Sequence, residues 1–273
     1  MRATLTIEPM TVTIGAEIGG VDLAADQSDE TIAEIRAALL EWKVVFFRDQ
    51  EPLGRDEHVA FGRRFGDLEV HPLTPKDQKQ PEVFVLPAGG EHGAPGVWHS
   101  DVTWRPEPSM GSILRAVELP PVGGDTLWAD MHAAYERLDD ATKERVDGLV
   151  ALHDFTRAFG AGQTPEVQEK MRAKHPTVEH PVVRTHPESG AKSIYVNAGF
   201  TMGIKGMEPE ESLPLLQRLQ HQAWLPDVQC RFRWSPGSVA FWDNRATQHC
   251  VSNDFLPRRR VMERVTVVGD RPF

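Results

Sequence analysis

The sequence predicts a mainly β architecture with flanking helices, on three observations. Short apolar runs recur between Pro- and Gly-rich turns along most of the chain, as the strands of a β-rich core require. Helical periodicity is confined to the first quarter and to a few later insertions. A composition 40% hydrophobic and 26% charged, with seven Trp and twelve Phe, is enough to bury a large core. At 273 residues, with no internal repeat, low-complexity tract or linker, residues 1–273 are expected to form one domain.

Taken in order, residues 5–23 mix β-branched side chains with Gly15, Gly19 and Gly20 and suit short strands and a turn. A helix follows, because Ile32, Ile35, Leu39 and Trp42 fall on one helical face and Asp29 and Glu30 occupy its positive first turn. The unbroken apolar run 44–47 has the signature of a strand buried on both faces. A second helix is expected over 56–65, strands over 83–86, 110–117 and 126–128, and helical insertions over 131–149 and 165–173. Further strands are expected at 182–185, 193–196, 229–234, 239–242 and 260–268.

The formal net charge of -10 argues against a nucleic acid partner, which needs basic surface to neutralise phosphates. Local basic groups would then serve a small anion. Cys230 and Cys250 are too few for a disulfide framework and read as quiet buried thiols. No charged-then-apolar leader and no long apolar run marks secretion or membrane insertion, so the expected location is the cytoplasm.

Chemistry concentrates in two distant segments, Trp98-His99-Ser100-Asp101 and the stretch from Trp242 to His249. His99 and Asp101 are one residue apart, so in an extended segment both leave the same face and can reach one metal ion. His249 follows the apolar run 239–242, and a sheet sandwich can bring it beside the first pair. Two imidazoles and a carboxylate are the set that holds Fe(II) on one face and leaves other positions open; a zinc site would more often carry its two His on a helix. An HxD alone is common by chance, so the weight rests on what accompanies it. Gly123-Gly124 lacks the GxxxxGK[ST] context of a phosphate loop and reads as a tight turn.

The blocks PVGGDTLWAD (121–130), HPVVRTHP (180–187), YVNAGFT (195–201), WDNRATQH (242–249) and LPRRRVMERVTVVGDRPF (256–273) together resemble the taurine dioxygenase family of Fe(II)/2-oxoglutarate oxygenases, across essentially the whole chain. The resemblance implies a double-stranded β-helix, or jelly roll. It implies His99, Asp101 and His249 as iron ligands and catalytic centre, with Arg260 and Thr126 holding the distal carboxylate of 2-oxoglutarate. Arg is suited to that task as a permanently charged planar fork. A homo-oligomer, dimer or tetramer, is the family's common assembly.

The resemblance further implies an anionic substrate held by His71 and Arg264, with Phe159 and Phe200 at apolar pocket positions. A sulfonate offers three acceptor oxygens that favour such donors. A tyrosine and an asparagine of the taurine pocket correspond here to Thr74 and Pro95, the latter in 93–96, a stretch expected to belong to a lid. The anion-gripping half is therefore kept and the amine-side half altered. Hydroxylation next to sulfur, with O2 and 2-oxoglutarate consumed, would release an aldehyde and sulfite from a sulfonate or sulfate from an alkyl sulfate. An oxygenase of a carboxylate substrate is a further alternative, and a non-catalytic jelly-roll binding protein would follow if the three ligands failed to meet.

Overall fold

A computed structural model describes residues 5–50, 52–88 and 96–273. Two antiparallel-rich sheets face each other. The larger runs in the order Thr6–Pro9, Ala16–Gly19, Val44–Phe47, Val239–Asp243, Gly111–Glu118, Arg260–Val267, Phe84–Ala88. The smaller runs Gln229–Phe232, Thr126–Asp130, Thr247–Val251. Strands far apart in sequence alternate within each sheet, the wrapping expected of a jelly roll.

The alternation of side chains explains why the central strands are apolar throughout. On Val44–Phe47, Val44 and Phe46 join Trp128, Phe232, Ala240 and Trp242 in the core between the sheets. Val45 and Phe47 instead join Ile113, Val239 and Phe241 beneath the N-terminal helices. A strand covered on both faces cannot carry a polar period. Phe46 stacks on Phe232 at 4.1 Å and meets Trp128 edge-on at 5.2 Å, locking the two sheets together.

The helix Asp29–Trp42 is capped by Ser28, whose hydroxyl accepts from the Thr31 N–H, and ends where Lys43 turns left-handed at φ 62°. It buries Ile32, Ile35, Ala38 and Leu39, largely the stripe predicted. The second helix is Arg55–Arg63. The expected insertion over 131–149 is not one helix: Met131–Glu136 and Asp140–Val146 are separated because Asp139 caps a fresh helix through the Thr142 N–H. Its last residues turn at Gly148, φ 70°, into the strand Val150–His153, which was not foreseen and pairs with Val178–Pro181. The helix Pro209–Gln220 was not foreseen, although Pro at its start, Glu210 and Glu211 in its first turn, and buried Leu215, Leu216 and Leu219 are a helix signal. Among the described residues no helix is long and apolar enough to cross a membrane.

Candidate metal and anion site

The strand Thr247–Val251 lies in the smaller sheet, paired with Thr126–Asp130, and its His249 forms an isolated antiparallel bridge with His99. His99 N–H donates to the His249 carbonyl at 3.0 Å and His249 N–H returns a bond at 2.8 Å. This pairing sets the two imidazoles side by side, ring centroids 4.2 Å apart. Asp101, two residues on, brings a carboxylate oxygen to 4.0 Å from His99 Nε2, and one ligand atom from each of the three side chains lies within 4.8 Å of the others. The predicted triad therefore meets.

Its surroundings fit a divalent metal. His99 Nδ1 lies 2.9 Å from the Val97 carbonyl, which makes that nitrogen the donor and leaves the Nε2 lone pair for a ligand. Burial, reinforced by the neighbouring His99, holds the His249 pKa down at about 3, so its ring is neutral, and its buried Nδ1 has no partner among the described residues. Asp101 resists the upward pull of burial because Arg264, both imidazoles and Ser112 keep it well below the usual carboxylate range. Ser112 donates to Asp101 Oδ2 at 2.8 Å, and Asn244 holds both ends of the arrangement, donating to Ser112 at 3.1 Å and accepting from the Asp101 N–H. Sequence reasoning missed Ser112 and Asn244; the latter stood inside a quoted block, but nothing in a linear pattern says which side chain it supports.

Arg260 and Thr126 lie on facing sheets, with the guanidinium 3.3 Å from the Thr126 hydroxyl, which also accepts from Trp234 Nε1 at 3.0 Å. Arg260 is 4% exposed, and among the described residues its Nε has no partner and no carboxylate forms an ion pair with it. Burial pulls even this guanidinium down to about 10, with only Asp125 opposing. An unpaired buried cation is costly, so the position calls for an anion. Gly124 makes room for it: its φ is +74°, and a Cβ there would sit 3.0 Å from Arg260 Cδ. The Gly-Gly is the tight turn expected.

His71 and Arg264 come together around Phe84. The His71 ring stacks on Phe84 at 4.1 Å, and the Arg264 guanidinium lies 5.7 Å from the same ring. His71 Nδ1 accepts from the Leu73 N–H, so a neutral ring carries its proton on Nε2, and burial with the nearby Arg264 and Arg105 lowers its pKa to about 4. Arg264 also reaches the metal triad, donating to Asp101 Oδ1 at 2.5 Å while its Nε has no partner among the described residues. The sequence had assigned Arg264 to substrate alone; in the structure it touches both halves of the site. Phe200, buried, faces the His99 ring at 6.3 Å, and Phe159, more than a third exposed, stands a further 6.3 Å out against Phe200. Thr74 keeps its hydroxyl buried, with no partner among the described residues. Pro95 and most of the expected lid lie outside the described residues. Phe84, Glu69 and Arg105 were not foreseen here.

Residues 6–266 match the family described as taurine catabolism dioxygenase TauD, TfdA family. The chain belongs to that family. It is therefore an enzyme, a 2-oxoglutarate-dependent dioxygenase with a jelly-roll fold. It is 37% identical to an alkylsulfatase of Acinetobacter baylyi over 97% of this chain and 86% of that protein. It is 33% identical to an (S)-phenoxypropionate/alpha-ketoglutarate-dioxygenase of Sphingobium herbicidovorans over 99% of this chain and 97% of the other. The solved taurine dioxygenase of Burkholderia xenovorans superposes with a TM-score of 0.84 at 42% identity, covering 98% of this chain and 90% of that one. Cys230 and Cys250 are buried and free, as expected.

Proposed function

We propose that this dioxygenase acts on a small organosulfur anion, a sulfonate or an alkyl sulfate, with Fe(II) as its metal. The observation that carries the reading is two buried arginines on one strand: Arg260, with no carboxylate partner among the described residues, and Arg264, which joins the triad to the His71 pocket. His99, Asp101 and His249 would hold the iron, since two neutral imidazoles and a low-pKa carboxylate are the donors that Fe(II) accepts on one face. Bound iron with 2-oxoglutarate and O2 supplies the oxidising power for C–H hydroxylation, 2-oxoglutarate ending as succinate and CO2.

The protein's own work is placement. Arg260 and the Thr126 hydroxyl bind the distal carboxylate of 2-oxoglutarate, a charge-assisted contact that also relieves the lone buried guanidinium. His71, donating through Nε2–H, and Arg264 hold the sulfur oxyanion, which fixes the adjoining carbon toward the triad. Phe200 and Phe159 line the way in and exclude water from the reacting carbon. Hydroxylation of the carbon that carries the sulfonate or sulfate gives an unstable adduct, which collapses to an aldehyde with sulfite or sulfate.

A carboxylate-substrate reading is favoured by one finding, the 33% identical phenoxypropionate dioxygenase, because His71 and Arg264 would hold a carboxylate with the same donors. The deciding experiment is an aerobic assay with Fe(II), ascorbate and 2-oxoglutarate, scoring succinate, sulfite and sulfate across taurine, longer alkylsulfonates, alkyl sulfates and aryloxypropionates. Sulfite or sulfate equal to substrate-dependent succinate is the expected result. Succinate that rises only with the aryloxypropionates would overturn the organosulfur assignment. Cytoplasmic location and a dimeric or tetrameric assembly, both carried over from the sequence reading, are part of the proposal, the latter tested by analytical ultracentrifugation.

A further inference from the structure

Beside the His71–Arg264 pocket lies a second ion pair, Glu69 with Arg105, 2.8 Å apart, the carboxylate side chain only 6% exposed and the arginine 25% exposed. Glu69 stands two residues before His71 on an extended segment, so both side chains leave the same face. Its N–H donates to the carbonyl of Thr266, two residues beyond Arg264 on the neighbouring strand. Arg105 lies 5.0 Å from the Trp104 ring and extends from the loop that carries His99 and Asp101. Glu69 is thus in the electrostatic field of Arg105, Arg264 and Asp101, and burial raises its pKa above the usual value.

The charges cancel in pairs. Arg264 is matched by Asp101, Arg105 by Glu69, and His71 is neutral. Fe(II) and dianionic 2-oxoglutarate would cancel as well, which leaves Arg260, at the distal carboxylate, as the remaining cation of the site. Without Glu69, Arg105 would be a further cation offered to an incoming anion; with it, the positive charge beside His71 is matched and the pocket keeps its donors. This matters for a choice that shape cannot make. A sulfate ester and a phosphate monoester present the same tetrahedral face of three oxygens, yet near pH 8 the first carries one negative charge and the second close to two. Only the charge of the surroundings distinguishes them strongly.

We infer that Glu69 is a specificity-determining residue that, by neutralising Arg105 beside the anion pocket, selects singly charged anions over doubly charged ones. The inference rests on the organosulfur reading above and names its charge class. It does not require Glu69 to touch the substrate, because in a buried site one unit charge acts over several ångströms.

The test is anaerobic calorimetry at pH 8 on the full chain loaded with Fe(II) and 2-oxoglutarate, titrated with hexyl sulfate, hexanesulfonate and hexyl phosphate. Wild type, Glu69→Gln, Arg105→Gln and the double variant are compared by the ratio of phosphate to sulfate dissociation constants. Each ratio comes from one protein preparation, so a partly unfolded fraction does not distort it. Glu69→Gln should lower the ratio about tenfold, Arg105→Gln should raise it, and the double variant should return near wild type. A merely structural tie between the two loops would make both single variants move the ratio the same way, or not at all, and either result overturns the filter. Failure of wild type to bind either sulfur anion overturns the organosulfur reading and the filter together. Normal sulfate binding with an unmoved ratio overturns the filter alone.

Discussion

Arg260 is the residue whose environment makes the sharpest demand: a guanidinium removed from water, offered one hydroxyl and, among the described residues, no carboxylate. Replacing it by Ala should raise the dissociation constant for 2-oxoglutarate by roughly 10–100-fold, the scale of a charge-assisted pair, with Fe(II) affinity little changed. Isothermal titration of the metal-loaded protein measures both, and unchanged 2-oxoglutarate affinity would remove Arg260 from the co-substrate role. Ser112 makes a different kind of contribution. It orients Asp101 through Oδ2 while Asn244 steadies its hydroxyl. Ser112→Ala should weaken metal binding about tenfold, as loss of a hydrogen bond to a ligand carboxylate does elsewhere. Ser112→Thr, which keeps the hydroxyl, should recover much of it; Mn(II) titration followed by electron paramagnetic resonance reads the difference.

At the scale of elements, the turn Gly123-Gly124 and the strand Arg260–Val267 work as one device. The turn has positive φ at both glycines, and the second lies against the Arg260 side chain. Gly124→Ala combines a strained backbone with a Cβ in close contact, so it should push Arg260 from Thr126 and raise the KM for 2-oxoglutarate severalfold with a smaller loss of thermal stability. A KM equal to wild type would mean the turn yields without disturbing the arginine. The helix Asp29–Trp42 provides the contrast: Ser28→Ala removes its cap, far from the triad, and should cost about 1 kcal/mol of stability, read by chemical denaturation, with kcat/KM unchanged.

For the whole molecule, acid sensitivity follows from histidines buried in neutral form. His58, packed under the larger sheet beside Arg115, has its pKa lowered to about 4 by burial, against an ordinary value of 6.5 when unfolded. Below 6.5 the unfolded chain takes up a proton that the folded chain refuses. The neutral His58 is therefore no liability above pH 6.5, and stability is lost as pH falls from 6.5 toward 4, in total on the order of 3 kcal/mol from this residue alone. Urea midpoints at pH 7 and pH 5 for wild type and His58→Gln should show the variant losing less between the two; equal losses would put the acid sensitivity elsewhere.

The sequence by itself determined the β-rich class, the strands Val44–Phe47 and Val239–Asp243, the first helix and the candidate triad, because each rests on local periodicity or on a block of neighbouring residues with its own chemistry. His99, Asp101 and His249, like Arg260 with Thr126, stood in such blocks and were legible. The strand Thr247–Val251 and the helix Pro209–Gln220 were not named, although the second carried ordinary helix signals. What only the tertiary structure decided is pairing between distant segments: that His99 and His249 are register partners, that Arg264 reaches Asp101 as well as Phe84, and that Glu69 pairs with Arg105. Those contacts depend on how two sheets and a loop fall together, and burial then fixes their charge states. Which distant polar groups meet, and how far their meeting place is from water, has no signature in the linear chain.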